Sequence, residues 1–136
     1  MKKEVMKMEI HYWKEHSSML EFFEFNFRDE KITRVFLPAY ILEKEYKKLP
    51  VQVEAKELEQ LFAIMNGAGE IGNPMGTPDM QAWIRANEVG HTSMSVGDIV
   101  FTGKKWFVTL SVGFAEIDWI KNPEVKQNAN MEKTRP

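Results

Sequence analysis

The sequence predicts a single α+β domain: an antiparallel or mixed sheet, built from an N-terminal and a C-terminal hairpin and covered by two helices. Three observations carry this. Apolar and polar residues alternate with a period of two toward both ends of the chain, whereas apolar spacing of three and four is confined to its middle. The 136 residues are 43% hydrophobic and 12% aromatic, which excludes a disordered chain. That length fits one domain with a sizeable core.

The elements follow in order. Residues 9–14, Glu-Ile-His-Tyr-Trp-Lys, are rich in β-formers and read as a strand. An exposed edge there would allow a homodimer across a two-fold axis; otherwise the chain is a monomer. Phe23, Phe25 and Phe27 alternate with Glu24, Asn26 and Arg28, one arm of a hairpin. Residues 28–31 make its turn. Residues 32–40 form the returning strand, with Pro38 at its edge or end. Residues 41–52 are charged and mixed, and Leu49-Pro50 stops any helix. Ala55, Leu58, Leu61, Phe62 and Met65 form one apolar stripe, predicting a helix over about 54–66 that ends at Asn66-Gly67. Residues 67–76 are a loop. Thr77 as N-cap, Pro78 in the first turn and Asp79 facing the dipole open a second helix, about 78–89, closed by Gly90. Residues 95–98 turn into a strand at Ile99–Phe101. Gly103 suits the positive φ of the next turn, and residues 106–110 return. Gly113 bends the chain before a last strand, 114–119. From residue 120 onward Pro, Asn, Gln, Lys and Glu dominate, as in a flexible tail.

Composition narrows function mainly by exclusion. With no cysteine there is no disulfide, cysteine-ligated zinc, iron–sulfur cluster or thiol nucleophile. No apolar run reaches the ~18 residues of a membrane span, and no signal-peptide pattern follows the basic first residues. The location expected is cytoplasmic. The 18 Lys and Arg against 20 Asp and Glu are unevenly spread. Residues 51–100 hold two basic and seven acidic residues, which speaks against nucleic acid and suits a protein partner.

Each motif has a plainer structural use. Gly67-Ala-Gly-Glu-Ile-Gly72 matches G-x-G-x-x-G, but follows a helix and precedes Asn73-Pro74, so it reads as a connector rather than a dinucleotide loop. His11 and His16 lack metal-ligand spacing. His91, Thr92, Ser93, Ser95 and Asp98 fall within eight residues. A catalytic triad usually gathers from distant segments, so this cluster reads first as turn and cap chemistry, with Ser95, Gly97 and Asp98 shaping the turn. Most of the aromatics, and Met65, Met75, Met80 and Met94, read as core; Trp106, beside Lys104 and Lys105, is the ring least tied to it.

The stretch Gly90-His-Thr-Ser-Met-Ser-Val-Gly-Asp-Ile-Val100 resembles the S-[ML]-S-V-G-D-[IV]-V core of YodL-like domains. In that family a hairpin follows, and a terminal G-F-x-x-[IV] matches Gly113-Phe114-Ala115-Glu116-Ile117. Arg34–Tyr40 is similar to the family's opening strand, and Leu58–Asn66 to its helix. The resemblance spans 34–119, leaving 1–33 as a β-rich extension packed on the domain and 120–136 as a tail. It implies no catalytic residue, metal or cofactor, and a setting in phages, plasmids or conjugative elements. The function expected is therefore non-enzymatic binding of a host or defence protein in the host cytoplasm, as an inhibitor of the anti-CRISPR or anti-defence kind. The partner-binding candidates are Glu57, Glu70, Asn73, His91, Thr92, Ser93 and Trp106. An RNA-binding module of PUA/ASCH-like character is the alternative, and a hydrolase or transferase using His91 the third.

Overall fold

Alternation in Met6–Trp13 (β1) sends Met8, Ile10 and Tyr12 to one face and His11 and Trp13 to the other. The same logic makes β2 (Arg34–Pro38), β3 (Tyr46–Ala55), β4 (Ile99–Phe101), β5 (Trp106–Thr109) and β6 (Phe114–Ile120). The computed structural model describes residues 4–15, 17, 32–69 and 72–121. Among these, six strands form one mixed sheet in the order β2-β6-β5-β4-β1-β3. All pairs are antiparallel except β2 with β6. Three helices accompany it: α1 (Tyr40–Glu45), α2 (Leu58–Ile64) and α3 (Pro78–Ala86). A 3₁₀ turn, Pro74–Gly76, precedes α3.

The α+β class and the two helices of the middle stand, as does the C-terminal hairpin with Gly103 at φ 99°. Several details differ from the sequence reading. Strand β1 is not an edge over residues 9–11, because there it pairs with β3 on one side and β4 on the other. Residues 41–52, charged and mixed in sequence, hold most of α1 and most of β3, where Leu49, Val51, Val53 and Ala55 alternate toward the core. Pro50 is tolerated because β3 lies at the edge of the sheet and carries a register shift opposite Glu9 to His11. Helix α2 consequently starts at Leu58, after Ala55 has paired with Met6. Strand β2 pairs in parallel with β6; the expected hairpin arm at 23–27, its turn at 28–31 and the tail from 122 lie outside the described residues.

Local signals set the helix ends. Gln60 Oε1 accepts from Lys56 N at 2.7 Å ahead of α2. Gly67, at φ 99°, lets Ala68 N reach Ala63 O at its other end, as Asn66-Gly67 predicted. Thr77 Oγ1 caps α3 by accepting from Met80 N, as expected. Gly90 does not close α3. Glu88 takes the left-handed turn, at φ 62°, and Val89 N bonds to Ile84 O while the two side chains share the core.

The sheet cannot be flat. Its edges, β2 and β3, stand five strand spacings apart, about 24 Å if laid out straight. Only Ala39 and α1, which rises about 9 Å, join Pro38 to Tyr46. The sheet therefore curls around a cluster that gathers Val35 and Leu37 of β2, Ile41 of α1, Tyr46 of β3, and Ile99, Val108 and Ile117. Helices α2 and α3 cover the other face over β1, β3 and β4, burying Leu61, Met65, Met75 and Ile84. Of the methionines expected in the core, Met65, Met75 and Met94 are buried and Met80 packs against them. Phe36 departs from that pattern: it is 65% exposed, on the outer face of β2.

Leu61 is fully enclosed between α2 and the sheet. Leu61→Ala is expected to lower stability by about 2–5 kcal/mol, read as a shifted urea midpoint at unchanged slope.

Candidate functional site

Two places draw together the residues that carry chemistry: the turn before β4, and a recess between α2 and the β4–β5 hairpin.

At the turn, Asp98 is wholly buried. Its carboxylate accepts from Ser95 N at 2.7 Å and Trp13 N at 3.2 Å, and lies 2.9 and 3.0 Å from His91 Nε2. Burial pushes the Asp98 carboxyl above its usual range, while His91 and the two backbone amides pull the other way. The His91 ring is stacked between Tyr12 and Trp13, each 4.4 Å away by ring centre. Its Nδ1 is buried without a hydrogen bond. Both ring faces are thus covered and Nε2 is committed to Asp98. Ser95, Gly97 and Asp98 all lie at this turn. Gly97 takes φ 95°, and its carbonyl accepts from the Tyr46 hydroxyl at 2.7 Å. Burial raises the hydroxyl pKa of both Tyr12 and Tyr46, with the Asp98 charge adding to it.

The neighbouring candidates face inward as well. Thr92 O accepts from the Tyr12 hydroxyl at 2.8 Å and from Asn73 Nδ2 at 3.2 Å, and its hydroxyl accepts from Gln81 at 2.9 Å. Asn73 also donates to Met65 O and caps the 3₁₀ turn through Met75 N. Ser93 O accepts from the Ser95 hydroxyl. Asn73, His91 and Thr92 form one internal lattice that pins the loops to β1 and α2. Glu70 lies outside the described residues. Trp106 sits on the curled face, half-buried, stacked on Phe101 at 4.5 Å and edge-on to Trp119 at 5.6 Å.

The recess lies on the helix-covered face and holds about 550 Å³. Met6, Leu58 and Phe107 supply its apolar lining. Lys56, Lys104 and Lys105 stand at its rim with Glu4, Glu57 and Glu59. Of the sequence candidates among the described residues, only Glu57 belongs to it. Lys104 and Lys105 were visible as a basic pair before Trp106-Phe107, but nothing local shows that Met6 and Leu58 complete the lining, since β1 and α2 are brought there by tertiary structure. A smaller hollow of about 110 Å³ continues past Glu59 to Phe62 and Phe114. Lys47 and Lys48 line a separate hollow on the curled face beside His11, and Lys48 pairs with Glu9 at 3.4 Å. The two lysine groups therefore do not merge into one patch. Among the described residues no cluster of His, Asp and Glu has metal-binding geometry, and no helix is long and apolar enough to cross a membrane.

The chain is similar to an uncharacterized protein, R785, of Acanthamoeba polyphaga mimivirus: 29% identical over 114 residues, 84% of this chain and 94% of that protein. No family model and no solved structure matches the chain.

The Asp98 geometry yields a prediction with a defined sign. A folded-state carboxyl pKa raised above the unfolded value gives stability that is complete below the unfolded pKa and lost as pH rises through the folded one. Removing His91 takes away a group that lowers that pKa. His91→Ala is thus expected to cost about 3 kcal/mol at neutral pH, the scale for depriving a buried carboxylate of its partner. The deficit should shrink toward pH 4, measured as urea midpoints of variant and wild type across pH.

Proposed function

We propose that this chain is a non-enzymatic protein of a virus or mobile element that acts by binding a host or defence protein in the host cytoplasm, as an inhibitor, and that the recess between α2 and the β4–β5 hairpin is where it binds. The observation that carries this reading is the contrast between the two sites. The acid–histidine pair, the arrangement a hydrolase or transferase would use, is enclosed by Tyr12 and Trp13. The recess is open, lined with apolar side chains and rimmed with both signs of charge. That combination matches protein-binding patches, where apolar anchors are ringed by polar groups. The viral relative supports the setting.

An RNA-binding module is the second reading, and the curl of the sheet favours it, since small barrels commonly bind RNA. The separation of Lys104 and Lys105 from Lys47 and Lys48 onto opposite faces weighs against it.

Affinity capture from host lysate tests the choice. A stoichiometric protein partner is expected that survives nuclease and moderate salt, and Phe107→Ala should weaken its binding by about tenfold or more with the melting temperature nearly unchanged. Capture abolished by nuclease, or falling steeply with salt, would select the RNA reading.

A further inference from the structure

The recess is also a gap in the sheet. Strand β4 is three residues long, and its pairing with β1 stops at Glu9 opposite Phe101. Thr102 then turns away, its amide bonding to Lys105 O at 3.0 Å within the hairpin. Strand β1 runs on for three further residues toward its start, Met6, Lys7 and Met8, which pair with Ala55, Glu54 and Val53 of β3 on one side only.

The direction of the β1 backbone groups is fixed by bonds at its other end. Trp13 N points to Asp98 and Glu15 N to Glu88 O, both on the β4 side, while Lys14 N points to Glu45 O on the β3 side. A strand alternates these directions residue by residue. The register shift between β1 and β3 adds its extra residues to β3, so the alternation along β1 is unbroken. The amide and carbonyl of Lys7, and of Val5 before it, therefore face the β4 side beyond the tip of that strand. Both residues are exposed.

We propose that the recess is a strand-addition site: an extended segment of the partner protein lies antiparallel to Val5–Lys7, bonds to the Lys7 backbone, and continues the sheet past β4. This rests on the binding reading above and assigns the partner's chemistry. Strand addition draws affinity from main-chain bonds and specificity from pockets that take alternate side chains. One such side chain points to the helix-covered face, into the lining made by Met6, Leu58 and Phe107, and must be apolar. Lys104 and Lys105 stand on the hairpin side; toward β1 and α2 stand Glu4, Glu57 and Glu59 with Lys56 among them, three acids against one base. The complementary segment carries an acidic residue on one flank of its apolar anchor and a basic residue on the other.

A random-peptide display library selected on the full chain is the probe. Enriched peptides are expected to share an apolar residue flanked by opposite charges. Lys7→Pro deletes the donor that faces the gap but leaves the β1–β3 bonds, which use Met6 and Met8. It should weaken these peptides about tenfold, while Lys7→Ala, which keeps the backbone, should not. Phe107→Ala should weaken them as well. If Lys7→Pro does not fold, amide exchange of the wild-type chain decides: peptide should slow the Lys7 amide. No enrichment, unchanged binding by Lys7→Pro, an unaltered Lys7 amide, or Lys7 protection that grows with protein concentration and without peptide, as a second copy in the gap would give, each overturns strand addition. Loss with Phe107→Ala alone would overturn it and leave the recess as the binding site; a captured protein partner indifferent to Phe107→Ala would instead remove that reading.

Discussion

A fully buried carboxylate must be hydrogen-bonded on every side, and Asp98 meets that requirement by drawing four parts of the chain together. Its side chain holds the amides of Trp13 in β1 and Ser95 in the turn, and the ring of His91. Its carbonyl accepts from both the amide and the hydroxyl of Thr109 in β5. Tyr46 in β3 adds a bond to Gly97, one residue away. Strands distant in sequence are thus fixed at the residue that immediately precedes β4. The short β4 can serve as the middle of the sheet because its entry point is anchored from both sides, not because three residues of strand are strong by themselves.

The same anchor explains why the histidine, threonine and asparagine of the neighbouring loops face inward. Once Asp98 is buried, the His91 ring has to follow it between Tyr12 and Trp13, and the loop carbonyls left behind need donors. Tyr12, Asn73 and Gln81 supply them around Thr92. Polar residues close in sequence can therefore belong to one structural lattice even when their types suggest chemistry. Among the described residues, packing is less complete along the recess, where β4 stops short of the first residues of β1.

Much of this was legible in the sequence, and the failures have physical causes. Thr77, Asn66-Gly67, Gly103 and the Ser95–Asp98 turn act through neighbours within a few residues, so local chemistry revealed them. The role of Asp98 toward Ser95 was visible, but its bond to Trp13, 85 residues away, was not. Strand β3 was hidden because Pro50 and the lysines around it argue against a strand, and only its edge position makes them acceptable. Glu88 was hidden because a left-handed glutamate has no sequence signature, whereas the glycine two residues on invited the cap. Of the binding candidates among the described residues, Glu57 alone reached the recess, since its apolar lining is assembled from β1, α2 and β5.

The two long strand edges are managed in different ways, and this bears on where the protein can meet another chain. An unpaired edge invites other strands, and proteins commonly guard it with proline and lysine. Strand β3 carries Pro50 in its middle and Lys47 and Lys48 at its start, which discourages pairing along that edge. The first residues of β1 carry no proline and a single lysine, Lys7, and their outward groups open onto a cavity with an apolar lining rather than onto solvent alone. A proline and two lysines along β3 beside a single lysine at the start of β1 is the distribution expected if association is suppressed more strongly along β3 than at that one place. The charges of both signs around that place limit what can enter, since a segment with the wrong pattern would bury an unpaired charge against Met6, Leu58 and Phe107.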